Sequence, residues 1–162
     1  MALKDEIKKN KPFEHPDEEA YLNLLRTTAV LSAEFERPLK QHGLSEPQYN
    51  VLRILRGIGG CGAQCSEIGA RMITRVPDVT RLVDRLEAAG WVERCRIAED
   101  RRVVQVKITR AGLDVLAKLD EPLVALGKEL SRHMSSDELN ELSRLLVKLR
   151  HPPERLDDNG SA

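Results

Sequence analysis

The chain has 162 residues, 41% hydrophobic but only 3% aromatic, and its 26 basic and 26 acidic side chains cancel. That length suits one domain with extended termini around an aliphatic core of Leu and Val, and a charged fraction of 32% fits a helix-rich chain with solvated faces. No apolar run approaches the roughly 18 residues of a spanning helix, the lysine-bearing N-terminus lacks the apolar stretch of a secretory signal, and the odd set Cys61, Cys65 and Cys95 has no disulfide spacing, so a reduced, cytoplasmic protein is expected.

Residues 1–15 are polar and read as a flexible arm. Pro16 followed by "DEEA" opens a long helix, with proline in the first turn and acids at the positive end of the helix dipole. Leu24, Thr28, Leu31 and Phe35 give it one apolar face, and Gly43 stops it. "LSEPQYNVLRIL" starts a second helix, with Ser45 and Gln48 at capping-box spacing. Four glycines from Gly57 to Gly62 end that helix in a loop. "SEIGARM" is a short third helix. A fourth spans about Val76 to Ala89, with Pro77 near its start and Gly90 as its stop. Val79, Leu82, Val83 and Leu86 form its buried face, leaving Asp78, Thr80, Arg81, Asp84 and Arg85 outside.

Two short alternating runs in "VERCRIAEDRRVVQVKIT" then predict a hairpin with a charged tip. Thr109 caps a long helix that Pro122 is expected to bend. Ser135 and Glu138 form a second capping box, opening a last helix with Leu139, Leu142, Leu146 and Leu149 at three-four spacing. Residues 151–162 read as a disordered tail.

Helix, short helix, helix and hairpin is the winged helix-turn-helix order. The fold class is therefore mainly α with a small β-hairpin wing, flanked by long helices. A helix-turn-helix places its second helix in the DNA major groove, and the hairpin tip would hold Arg101 and Arg102 at a fixed distance from it, where guanidinium groups suit phosphates or a narrow minor groove. From Arg71 to Arg110 there are ten Arg plus Lys against six Asp plus Glu, an excess of four positive charges in a chain that nets zero. Nine of those ten bases are arginine, which favours bidentate contacts. Residues 44–108 form the DNA-binding domain in this reading, and 16–43 with 109–150 supply dimerisation helices whose seams exceed what one chain buries. A two-fold dimer would set its recognition helices roughly 34 Å apart on a pseudo-palindromic site.

"VTRLVDRLEAAGWVER", "EDRR", "VKIT" and "AG" resemble the MarR family of bacterial transcription regulators, and the resemblance covers about Tyr21 to Arg150. It implies a homodimer on a palindromic operator, often a repressor, released by a small anionic aromatic compound or an oxidant. It also implies that Arg102 enters the minor groove and Asp100 braces the wing, with Thr80 and Arg81 facing bases and Arg75 and Arg85 phosphates. Arg101, Pro77 and Asp78 complete the candidate DNA-binding set. The chain departs from the family pattern at Arg75, Val76 and Pro77, where a serine or similar residue often begins the recognition helix. It departs again in the longer glycine-rich loop, at Gln64 in place of a capping threonine, and at Cys95 where arginine is frequent.

A small-molecule pocket would lie between the dimer helices and the reading head, with Tyr49, Arg53, His42 and Arg26 as candidates for stacking and anion pairing. No nucleophile–base pair, phosphate loop or complete metal set is visible, so neither an enzyme nor a cofactor or metal is expected. The competing reading is a winged-helix module for protein–protein contact, which would not require the arginine excess.

Overall fold

The computed structural model describes residues 2–96 and 103–151. In chain order it has α1 (Leu3–Glu6), α2 (Pro16–Gln41), α3 (Glu46–Ile58), α4 (Cys65–Arg71), α5 (Val79–Ala88), strands β1 (Val92–Arg96) and β2 (Val104–Ile108), α6 (Arg110–Ser131) and α7 (Ser136–Arg150). The chain divides into two units, Met1–Val124 and Ala125–Ala162, with the boundary inside α6.

In the first unit α3 is central, touching α2, α4, α5 and β2. Its start follows from its cap: Ser45 Oγ accepts the Gln48 N–H, and Gln48 Oε1 accepts the Ser45 N–H at 2.9 Å. That box satisfies two N–H groups the first turn would otherwise leave orphaned. Val51, Leu52 and Leu55 turn inward and are fully buried, joined by Leu39, Leu44, Ile68, Val83, Leu86, Val106, Leu116 and Leu119. The core is aliphatic, as the scarcity of aromatic residues requires.

Two helices end in the same way. At the end of α2, Leu44 N–H donates to Leu39 O and Gly43 N–H to Lys40 O, both at 3.0 Å. At the end of α5, Trp91 N–H donates to Leu86 O at 3.0 Å and Gly90 N–H to Glu87 O at 2.9 Å. This is the Schellman pattern, and it needs a left-handed residue, supplied by Gly90 at φ 74°. The chain thus turns out of α5 straight into β1.

The hairpin is antiparallel, with Val92 opposite Ile108, Arg94 opposite Val106 and Arg96 opposite Val104. Ala63, from the glycine-rich loop, joins the outer side of β2: its N–H donates to Val106 O at 3.0 Å, and Val106 N–H returns to Ala63 O at 2.8 Å. The backbones come so close that a Cβ at Gly62 would lie 2.6 Å from Val106 O. Thr109 closes the base of the hairpin. Its Oγ1 donates to Gly90 O at 2.7 Å and accepts the Gly112 N–H at 3.1 Å, which caps α6. An ion pair ties α3 to α6, with Arg56 donating to both oxygens of Asp120 at 2.7 and 2.8 Å.

α6 runs through Pro122 without interruption. α7 opens on the expected Ser135–Glu138 box and has no buried residue.

Two boundaries differ from the sequence reading. The recognition helix begins at Val79, not about Val76, because the Asp78 carboxylate accepts the Arg81 N–H at 2.9 Å and caps it there. Pro77 therefore precedes the helix and does not sit inside its first turn. The segment expected as an arm carries α1, whose Leu3 is buried and whose Glu6 pairs with Arg26 of α2 at 3.6 Å. The proposed tail from residue 152 onward lies outside the described residues.

Candidate nucleic-acid interface

The helical repeat of α5 separates its two faces. Val83 and Leu86 are fully buried, while Thr80, Arg81, Asp84 and Arg85 are exposed. At about 100° per residue those four span one arc of roughly 140°. Arg75, Pro77 and Asp78 are exposed in the turn that leads into it. The structure thus leaves the sequence-predicted residues of turn and helix exposed, those of the helix on one face. Asp78 already has a partner in the Arg81 N–H, so its first duty is to cap the helix. Asp100, Arg101 and Arg102, the expected wing-tip contacts, lie outside the described residues.

A fork that the sequence reading missed joins the wing to α5. Arg94 of β1 donates through one terminal nitrogen to Asp84 at 2.6 Å and through the other to Glu87, while its backbone N–H donates to Glu87 Oε1 at 3.1 Å. Partial burial opposes the charge on Arg94, but hydrogen bonds to Asp84 and Glu87 outweigh it and raise its pKa. Arg94, Asp84 and Glu87 are ten and seven residues apart, and no periodicity links a strand residue to a helix face across a turn.

A cleft of about 490 Å³ lies beside the reading head. Leu31 and Phe35 of α2, Tyr49 and Arg53 of α3, Ile73 and Thr74 of the turn before α5, and Leu123 of α6 contribute to its walls. Arg53 donates to the Tyr49 hydroxyl at 2.9 Å and its guanidinium lies 5.8 Å from the ring centre. The other two ligand candidates are elsewhere: Arg26 pairs with Glu6, and His42 caps the end of α2. Asn50, also in the wall, was not foreseen. Its Oδ1 accepts the Ile73 N–H at 2.9 Å, linking α3 to the turn that precedes the recognition helix. Nearby, the hydrogen bond from Arg56 holds the Asp120 carboxyl below its ordinary range, against the opposing effect of burial.

Cys61 is exposed, Cys65 and Cys95 are half-buried, and all three are free thiols. Cys95 Sγ donates to Gln105 O at 3.6 Å, in keeping with a space-filling role on the wing.

A helix-turn-helix continued by a hairpin, with exposed arginines on its second helix, is a DNA-binding winged helix. The MarR family model matches residues 44–104. The chain is 30% identical over 133 residues to the HTH-type transcriptional repressor IacR of Pseudomonas putida, a match covering 82% of this chain and 78% of that protein. The crystal structure of a MarR transcription factor from Planctomyces limnophilus is 42% identical with a TM-score of 0.64, covering 84% of this chain and 98% of that one. The organohalide-sensing transcriptional regulator RdhR, in its 2,4-dichlorophenol-bound form, shares the fold at 21% identity and a TM-score of 0.77, covering 88% of this chain and 86% of that one. The chain belongs to the MarR family of transcriptional regulators.

Proposed function

We propose that the chain is a homodimeric, sequence-specific transcriptional repressor that binds a pseudo-palindromic operator and releases it when a small anionic aromatic compound occupies the cleft. The observation that carries this reading is the exposed face of α5. It presents Thr80, Arg81 and Arg85 after a turn that carries Arg75 and before a hairpin sequence rich in arginine. Arg81 and Thr80 are assigned to base edges, Arg75 and Arg85 to phosphates, and Arg102 to the minor groove, with Asp100 bracing the wing.

Dimerisation is proposed because apolar side chains are left uncovered on the terminal helices. On α7, Leu139, Leu142, Leu145 and Leu149 are 37–61% exposed, and on α2 Tyr21, Leu25 and Val30 are similarly open. A partner chain that covered them would remove an unfavourable apolar surface from water.

The effector assignment rests on the cleft. Its walls are mostly apolar, it offers an aromatic face at Tyr49, and Arg53 supplies a positive charge with no carboxylate hydrogen-bonded to it among the described residues. RdhR binds 2,4-dichlorophenol, which supports an aromatic occupant here. The route to the reading head is short: a ligand against Asn50, Ile73 or Thr74 presses on the turn that sets the start of α5. Release then follows if the ligand favours a dimer with a different helix spacing, by its difference in affinity for the two states.

The test is fluorescence anisotropy of the purified protein with the intergenic DNA flanking its own gene, against scrambled competitor and across a salt series. Saturable binding that survives competitor and weakens linearly in log salt supports a specific regulator. Arg85→Ala and Arg102→Ala should each lower the salt slope by about one. Binding no tighter than to scrambled DNA would favour a winged-helix module with a protein partner.

A further inference from the structure

We propose that Arg94 is the positioning residue that locks the wing to the recognition helix by hydrogen-bonding both carboxylates that this helix turns toward it, offsetting one of their two negative charges. The inference rests on the DNA-binding reading of α5 and the wing, but the lock is a property of the free protein.

The charges on α5 make the need plain. Its bases are Arg81 and Arg85 and its acids are Asp84 and Glu87, so the recognition helix is neutral by itself. Two unscreened carboxylates beside a phosphate backbone would oppose binding. Arg94 meets both. One guanidinium nitrogen donates to each acid, and the Arg94 backbone N–H adds a third bond, to Glu87. The fork is rigid and planar, so satisfying both carboxylates fixes the strand against the helix in angle as well as distance. An ammonium group on a flexible stem has no such geometry.

The register shows that the lock is mechanical. Arg94 faces Val106, whose N–H and C=O both point away from β1, to Ala63. In an antiparallel pair this is a rung whose backbone groups point outward. The Arg94 N–H therefore has no ladder partner, and Glu87 is its acceptor. Arg94 is also poorly placed to grip phosphate: its side chain is 26% exposed and both terminal nitrogens are engaged.

Arg94→Met keeps the alkyl stem and removes the fork, and Arg94→Lys keeps the charge. Anisotropy across a salt series should show both variants weakened by about tenfold, the scale expected for breaking a coupled charge network. The salt slope should match the wild type, because no phosphate contact is lost. Neutralising the acids in the Arg94→Met background, with Asp84→Asn and Glu87→Gln, should leave affinity below wild type even though the local charge is then one unit more positive, since removing the repulsion does not restore the angle. In the free protein, amide exchange at position 94 should quicken in Arg94→Met and Arg94→Lys while the amides of α3 stay protected, which separates loss of the lock from unfolding. Full affinity in Arg94→Lys, or a salt slope reduced by about 0.9 in Arg94→Met, would overturn the proposal in favour of a point charge or a direct phosphate contact. If the wild type bound no DNA, the DNA-binding reading would fall, and the exchange measurement would still decide the lock: unchanged protection at position 94 refutes it.

Discussion

Gly112→Ala tests the packing that seats the wing. An added Cβ would lie 2.3 Å from Trp91 O, 2.8 Å from Ile108 Cγ1 and 3.2 Å from the Trp91 carbonyl carbon. Ordinary contact needs about 3.5 Å, so α6 and the chain at Trp91 must part by about 1 Å. Trp91 O has little freedom to yield, because it accepts the Thr109 N–H at 3.0 Å. Overpacking of this kind costs about 1–3 kcal/mol, and loosening that hydrogen bond adds about 1 kcal/mol. Alanine's helical preference returns about 0.5–1 kcal/mol. The net expectation is a loss of about 1–3 kcal/mol, read as a lower urea midpoint by far-ultraviolet circular dichroism at unchanged slope. Gly57→Ala is the matched control. It lies in α3, a Cβ there meets nothing within 4 Å, and it should stabilise by up to about 1 kcal/mol. A Gly112→Ala midpoint equal to or above wild type would refute the reasoning.

Other substitutions probe separate links. Asp120→Asn removes the carboxylate that pairs with Arg56; because that carboxyl's folded pKa is lowered, its contribution is full above about pH 4 and drains away as pH falls through the folded value. Wild type should therefore melt higher than the variant at neutral pH, by less than about 1 kcal/mol for so exposed a pair, and the gap should close only as pH falls below the carboxyl's lowered folded pKa. Asp78→Ala should cost about 0.5–2 kcal/mol by uncapping α5, measurable as a lower thermal midpoint. Leu142→Asp places a charge on the uncovered face of α7 and should shift sedimentation toward monomer at a fixed protein concentration while leaving the helical signal of each chain intact. Leu52→Ala empties a fully buried position and should cost about 2–5 kcal/mol by urea unfolding.

Local chemistry was the part of the fold most open to reading. Both capping boxes, the threonine cap at Thr109 and the inward set on α5 depend on residues within one or two turns, and a chain pattern records such neighbours directly. The start of α5 misled because proline at a first helical position is a common signal, while Asp78, one residue on, holds the stronger hydrogen-bonding claim on the turn. In the cleft, Tyr49 and Arg53 were readable as neighbours on one helix face. Arg26 and His42 were not excludable, because their placement depends on the path of α1 and the end of α2. Asn50, the Arg56–Asp120 tie and the Arg94 fork were hidden for a related reason. Their partners are brought together by packing between elements, up to 64 residues apart, and no spacing rule encodes that.

The rung at Arg94 and Val106 also bears on solubility. A two-stranded ribbon has two open edges, and unpaired edge groups invite strands from other molecules. Here the middle of the ribbon offers few: Ala63 occupies both outward groups of Val106, and Glu87 takes the outward N–H of Arg94. A foreign strand would have to displace a carboxylate on one side and a covalently tethered loop on the other before it could find a register. The same contacts that seat the hairpin against the helix-turn-helix thus guard a small sheet from recruiting its neighbours.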